Sequence, residues 1–207
     1  MIKSKLIELN TQETTPEIIA VSKTFKMDHI LPLIEHGHLH YGENKVQEAL
    51  SKWADIKLKN SKISLHLIGK LQTNKVKFAI KIFDFIHSLD NEKLAVKISE
   101  EEKKQNKKLK IFIQINLGGE YQKSGIRKED LFEFYNFSKK LGLNIVGTMC
   151  IPPFDEDSSK FFSEMSELNT QLNLKHLSMG MSADYLSALE HNSTYLRIGS
   201  DIFGKRG

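Results

Sequence analysis

The 207-residue chain holds a single cysteine, Cys150, which excludes an intramolecular disulfide and a cysteine-rich metal site. It lacks a large excess of either charge: 30 Lys and Arg against 26 Asp and Glu leave +4. The densest basic cluster, 103–110, follows Glu100-Glu101-Glu102 and reads as a solvated helix end, so nucleic acid is not an expected partner. Long hydrophobic runs are missing too. No window approaches the roughly 20 apolar residues that span a bilayer. The start, Met1-Ile2-Lys3-Ser4-Lys5-Leu6, reaches polar Asn10-Thr11-Gln12 without the sustained apolar core of a signal peptide. A lone cysteine fits a reducing compartment, and the expectation is a cytoplasmic protein with no membrane partner. With no linker, low-complexity tract or shift of composition, residues 1–207 read as one domain, expected to act as a monomer.

What is present is a regular alternation. Apolar runs of strand length fall at 18–22, 38–41, 63–68, 84–88, 111–116, 144–149, 174–178 and 194–198. Helical periods lie between them, near 28–36, 43–58, 72–81, 91–106, 128–142, 157–171 and 182–190. Asn91 precedes one of these like an N-cap, and Ser158 and Asp184 sit at similar starts. Strand then helix, repeated with short loops, implies parallel pairing and right-handed crossovers. The first strand runs into Ser22-Lys23-Thr24-Phe25-Lys26, without the glycine-rich turn of a doubly wound nucleotide-binding sheet. The expected fold is α/β, a single (β/α)8 barrel of TIM type.

Barrel sites gather at the C-terminal ends of the strands. Lys23 ends the run Ile18-Ile19-Ala20-Val21-Ser22, and an amine there is costly to desolvate, which favours its neutral, nucleophilic form. Such an amine suits condensation with a carbonyl to a Schiff base, although a lone rim lysine also snorkels to water. At the other end of the chain, Ser178 ends the seventh strand with Gly180 and Ser182 just beyond it, and Gly199-Ser200 follows the eighth. Barrels often hold phosphate at these two loops with the help of a helix N-terminus. Either loop alone reads as a glycine-serine turn; the pair reads as a phosphate cradle, and with the amine it points to pyridoxal 5'-phosphate. Arg197, two residues before Gly199, faces the same side. Beside a pyridine nitrogen its permanent charge would keep that nitrogen unprotonated and the ring a weak electron sink; without a cofactor it serves equally as the partner of a rim carboxylate.

Several ordered blocks resemble a known family. Ala20-Val21-Ser22-Lys23-Thr24, Tyr41-Gly42-Glu43-Asn44-Lys45-Val46-Gln47-Glu48, 66–75, Gln114-Ile115-Asn116, Lys123-Ser124-Gly125, 177–185 and 197–204 are similar to the pyridoxal phosphate homeostasis proteins. That family is similar in fold to the N-terminal barrel of alanine racemase. The resemblance implies that Lys23 carries the cofactor as a Schiff base and that Ser178, Gly199 and Ser200 hold its phosphate. It also implies that Arg197 faces the ring nitrogen and that Asn44 lies near the cofactor. Lys70 stands where histidine is common in the family and Tyr41 where phenylalanine is, and the segment before Ile18 is shorter than the usual first helix.

Binding a cofactor does not establish a reaction. Racemisation in the alanine racemase manner needs a second base on the opposite face, supplied there by an added β-domain, and this chain ends at Gly207 soon after its eighth strand. The expectation is therefore a carrier or regulator of pyridoxal phosphate, without a catalytic residue set, that releases the cofactor to apo-enzymes; the alternative is a racemase of low activity. His38, His40, His66, His87 and His176 also raise a metal-dependent hydrolase barrel, since two-residue spacing on a strand shares a face. With no carboxylate partner beside them, packed and hydrogen-bonded barrel histidines are the expected reading, and no metal is expected.

Overall fold

A computed structural model describes residues 15–120 and 124–204. The short N-terminal flank, Lys123 of the Lys123-Ser124-Gly125 block and the last three residues lie outside the described residues. Eight parallel strands close into a barrel in chain order: β1 (Glu17–Val21), β2 (His40–Glu43), β3 (Ser64–Leu67), β4 (Phe85–Leu89), β5 (Lys110–Gln114), β6 (Ile145–Met149), β7 (His176–Met181) and β8 (Tyr195–Ile198). β1 pairs with β8 through Ile19 and Arg197, which closes the cylinder without a free edge. The helices α1 (Met27–Glu35), α2 (Val46–Lys59), α3 (Val76–Ile82), α4 (Glu92–Gln105), α5 (Leu131–Lys140), α6 (Ser158–Gln171), α7 (Tyr185–Glu190) and the short α8 (Ser200–Phe203) follow the strands in turn.

Strand alternation divides the interior into two cores. Ile18, Ala20, Leu65, Leu67, Ile86, Ile111, Ile113, Leu177, Leu196 and Ile198 point outward and pack under the helices. Ile19, Phe85, Phe112, Met149 and Tyr195 point inward and form a separate cluster along the barrel axis. The helix starts follow capping chemistry. The Asn91 side chain accepts from Leu94 N–H at 2.9 Å, as its position predicts. For α6 the cap is Asp157, accepting from Ser159 N–H at 3.0 Å, one residue before the expected Ser158. Asp184 precedes α7, but its carboxylate accepts from Met181 N–H at 2.6 Å and so ties down the end of β7.

Every strand is shifted or trimmed by a residue or more from the sequence reading, and two of them, β2 and β7, run on past their expected ends for a physical reason. β2 continues to Glu43, which the helical period assigns to α2. Its carboxylate is fully buried, where Oε1 accepts from Ser22 Oγ at 2.8 Å, Lys52 Nζ at 2.9 Å and Trp53 Nε1 at 2.9 Å. β7 likewise continues past Ser178 to Met181. Gly180, which reads as a turn signal, is instead the bulge where the β7–β8 register shifts. Its φ is +88°, and a Cβ there would sit 2.6 Å from the Ala188 Cβ.

Candidate functional site

Lys23 lies two residues beyond the end of β1, half-buried in a turn that α2 holds from both sides. Lys52 Nζ donates to the Ser22 carbonyl at 2.9 Å, and Thr24 N–H donates to Glu48 Oε1 at 2.6 Å. Lys52 also bridges Glu43 at 2.9 Å and Glu48 at 3.0 Å. Burial raises the Glu48 carboxyl pKa, but the Thr24 N–H and the Lys52 ammonium outweigh it and hold the group below its ordinary range. The clamp supports an uncommon backbone state, because Thr24 has φ 69°, a left-handed conformation that disfavours β-branched residues. Glu43, Glu48 and Lys52 thus fix the chain on either side of Lys23. The sequence shows the i, i+4 spacing of Glu48 and Lys52 but not their reach to β1.

Lys23, Asn44, Ser182, Arg197, Gly199 and Ser200 line one cavity of about 580 Å³ at the C-terminal end of the barrel. Val21, Phe25, Ile68, Ile151 and Met181 supply its apolar walls. Six of the seven expected site residues therefore meet in one place. At the Gly199-Ser200 end, α8 presents its first turn to the cavity, and a helical first turn leaves backbone N–H groups without intrahelical acceptors.

Ser178 is the exception. The extension of β7 carries it inside the barrel, where it is fully buried and off the cavity wall. Its hydroxyl oxygen accepts from Arg197 Nη1 at 2.8 Å, and its carbonyl accepts from the same nitrogen at 2.6 Å. Arg197 Nη2 donates to the Cys150 carbonyl at 2.9 Å. Ser178 therefore anchors the guanidinium and is not among the residues that line the cavity. Arg197 is itself buried, with Ser178 of β7 and Cys150 just past β6 fixing the plane of its fork. Burial pushes the neighbouring Cys150 thiol up to about 12, so this cysteine stays protonated and unreactive.

Below Arg197 the histidines form a column. His87 Nδ1 lies 2.8 Å from Ser178 Oγ, His66 Nδ1 lies 2.9 Å from His87 Nε2, and His40 Nδ1 lies 2.9 Å from His66 Nε2. Phe85 stacks on His66 at 4.0 Å between ring centroids, and Phe112 stacks on His87 at 4.3 Å. Burial lowers the pKa of both inner histidines well below the ordinary imidazole value; neighbouring histidines add to this for His66 and the Arg197 charge for His87. The ring nitrogens bond one another, as the packed reading of these residues expects. Among the described residues no cluster of three or more histidine, cysteine or carboxylate side chains is arranged to hold a metal ion.

The comparisons with known proteins agree with this geometry. Residues 3–207 match the family model described as "Alanine racemase, N-terminal domain". The pyridoxal phosphate homeostasis protein of Aquifex aeolicus (strain VF5) is 38% identical over 204 residues, 94% of this chain and 89% of that protein. The human protein of the same name is 36% identical over 212 residues, covering 92% of this chain and 77% of its own length. Among solved structures, PipY of Synechococcus elongatus PCC7942, determined with PLP bound, superposes with a TM-score of 0.87 at 30% identity, over 99% of this chain and 100% of that one. Alanine racemase of Clostridium difficile 630 shares the fold alone, with a TM-score of 0.73 at 16% identity over 56% of its chain. No helix among the described residues is long and apolar enough to cross a membrane. The chain belongs to the alanine racemase N-terminal domain family and, within it, to the pyridoxal phosphate homeostasis proteins.

Proposed function

We propose that this chain binds pyridoxal 5'-phosphate in the Lys23 cavity as a Schiff base, holds it in reserve, and releases it to apo-enzymes, so serving vitamin B6 homeostasis in the cytoplasm as a single-domain monomer. The observation that carries this reading is the convergence of Lys23, Arg197 and the Gly199-Ser200 turn on one cavity of about 580 Å³. The donor set fits the group. One end offers the hydroxyls of Ser182 and Ser200 and the first turn of α8 to a phosphate, the walls are apolar, and a buried guanidinium stands across from the amine. The names of the relatives and the PLP-bound PipY structure support the same ligand.

Each residue has a defined task. Lys23, half-buried at the cavity wall, would hold the cofactor through its amine, and the cofactor would supply the aldehyde. Arg197 carries a charge that would keep a proton off a ring nitrogen held beside it. Ser182 and Ser200 orient the phosphate, and Asn44 closes the side of the cavity between β2 and β3. Among the described residues that line the cavity, Lys23 is the side chain placed to serve as a base. Racemisation needs proton removal and return on opposite faces, and one base serves one face. The chain is accordingly a carrier and not an amino-acid racemase.

Transfer tests the reading. Protein loaded with pyridoxal phosphate and mixed with a cofactor-free transaminase should lose its bound-cofactor absorbance while transaminase activity appears. The same loaded protein should racemise alanine at no more than trace rates. Racemase turnover in the ordinary range of about 1–1,000 per second, lost in Lys23→Ala, would replace the carrier by an enzyme.

A further inference from the structure

TIM-barrel interiors are usually filled with branched aliphatic side chains. This one spends three positions on imidazoles linked end to end, two of them fully buried, an arrangement that loses hydration without gaining apolar burial. A hydrogen-bonded column of this kind has a direction, and the two ends of this one set it. A guanidinium carries donors only, so Ser178 Oγ must accept from Arg197 Nη1 at 2.8 Å. Ser178 Oγ also lies 2.8 Å from His87 Nδ1, the ring nitrogen to which its own proton can be donated. His87 is then bare at Nδ1 and, being neutral, carries its proton on Nε2, 2.9 Å from His66 Nδ1. His66 repeats the step to His40 over 2.9 Å. His40 in turn points Nε2 at the Glu17 carboxylate, 3.6 Å away at the start of β1. A cation at the cavity end and an anion at the far end both favour this one polarity.

We infer that His40, His66, His87 and Ser178 are positioning residues that act through Arg197: a one-way hydrogen-bonded column, each member donating away from the cavity toward Glu17, that fixes the guanidinium where it faces the ring nitrogen of the cofactor. The part that concerns the cofactor rests on the proposed function above. The column itself does not, since its polarity is a property of the protein alone. Without the Ser178 acceptor Arg197 keeps its bonds to the Ser178 and Cys150 carbonyls and loses the one contact that the histidines orient.

Nitrogen-15 spectra of the histidine rings, recorded on the protein without added cofactor at pH 7, read the polarity directly. The expected result is that His66 and His87 are neutral with protons on Nε2 and bare Nδ1; protons on Nδ1 would overturn the column. Two variants then separate positioning from packing. His87→Asn keeps an acceptor at the Nδ1 position but loses the ring stacked on Phe112, whereas His87→Phe keeps a ring and loses the acceptor. His87→Asn should bind pyridoxal phosphate with wild-type affinity to within about threefold and an unshifted absorption band. His87→Phe should weaken binding about tenfold, the loss expected of one charge-assisted contact, and shift the band. Equal behaviour of the two variants, or the reverse order, would reduce the column to packing. If pyridoxal phosphate binds to none of these proteins, the proposed function fails while the ring spectra still decide the column.

Discussion

The eight strands of this barrel serve two cores that obey different physics. Outward residues such as Leu67, Ile113 and Leu196 meet the helices through aliphatic contact, where stability follows buried area and has little direction. Inward residues on the same strands, His66, Phe85, His87, Phe112 and Tyr195, meet through ring stacking and hydrogen bonds, each with a required orientation. The outer core sets whether the barrel exists. The inner one sets where Arg197 points, and so what the cavity above it can hold. A residue's contribution to stability and its contribution to the site therefore separate by the face of the strand it occupies.

The largest test of the contrast is at Gly147, on β6. A Cβ there would lie 1.9 Å from the His176 carbonyl oxygen and 2.8 Å from Phe112 Cε1. Gly147→Ala should cost about 3 kcal/mol or more, as overpacking against backbone does, visible as a large drop in the thermal midpoint. A loss under about 1 kcal/mol would mean that the inner core yields as easily as a loose aliphatic one. Leu67→Ala, in the outer core, should cost about 2–5 kcal/mol by urea unfolding, yet leave pyridoxal phosphate affinity unchanged in whatever fraction stays folded. A parallel loss of affinity would erase the distinction between the two cores.

Acid should find the inner core first. His66 and His87 are buried and neutral, with pKa values lowered by burial and by neighbouring charge. Lys57 and Lys110 add to the repulsion at His66, and Arg197 adds to it at His87. Below about pH 6.5 the unfolded chain protonates these imidazoles while the native one does not. The unfolded state then binds more protons, so stability falls as pH falls, by about 1.4 kcal/mol per pH unit for each histidine until its lowered native pKa is reached. Above pH 6.5 the two histidines contribute no slope. Unfolding free energies measured from pH 7.5 to 5 should show this break, and His66→Phe should flatten it. An unchanged slope in that variant would place the acid sensitivity elsewhere.

A smaller effect belongs to the cavity rim. Ser200→Ala removes one hydroxyl from the proposed phosphate end, a loss of about 1.5–3 kcal/mol for a bond to a charged acceptor. Affinity for pyridoxal phosphate should fall about tenfold or more while affinity for pyridoxal holds. Equal losses for both ligands would move the phosphate away from Ser200.

Much of this was legible in the sequence, and the gaps share a cause. Eight apolar runs gave eight strands, and the strand-end amine, Arg197 and the Gly199-Ser200 turn fall on one cavity as their spacing implies. The misplaced boundaries, at Glu43 and Gly180, arose where residues that usually punctuate loops are strand residues stabilised from elsewhere in the fold. Glu43 is buried where Ser22, Lys52 and Trp53 all donate to its Oε1, and Gly180 is a bulge because α7 and β8 leave no room for a Cβ. Neither condition is local. The same holds for Ser178, whose place below Arg197 follows from the extension of β7, and for the Glu48–Lys52 clamp on the Lys23 turn. His40, His66 and His87 are visible as residues, but their linkage depends on the order in which the closed barrel stacks three strands.

Borohydride reduction of the protein mixed with pyridoxal phosphate, followed by peptide mass analysis, tests the central claim most directly. The account predicts a reduced pyridoxyl phosphate label on the peptide that contains Lys23, absent in a Lys23→Ala protein that still melts within a few degrees of the wild type. A label carried by another lysine, or by none, would contradict it.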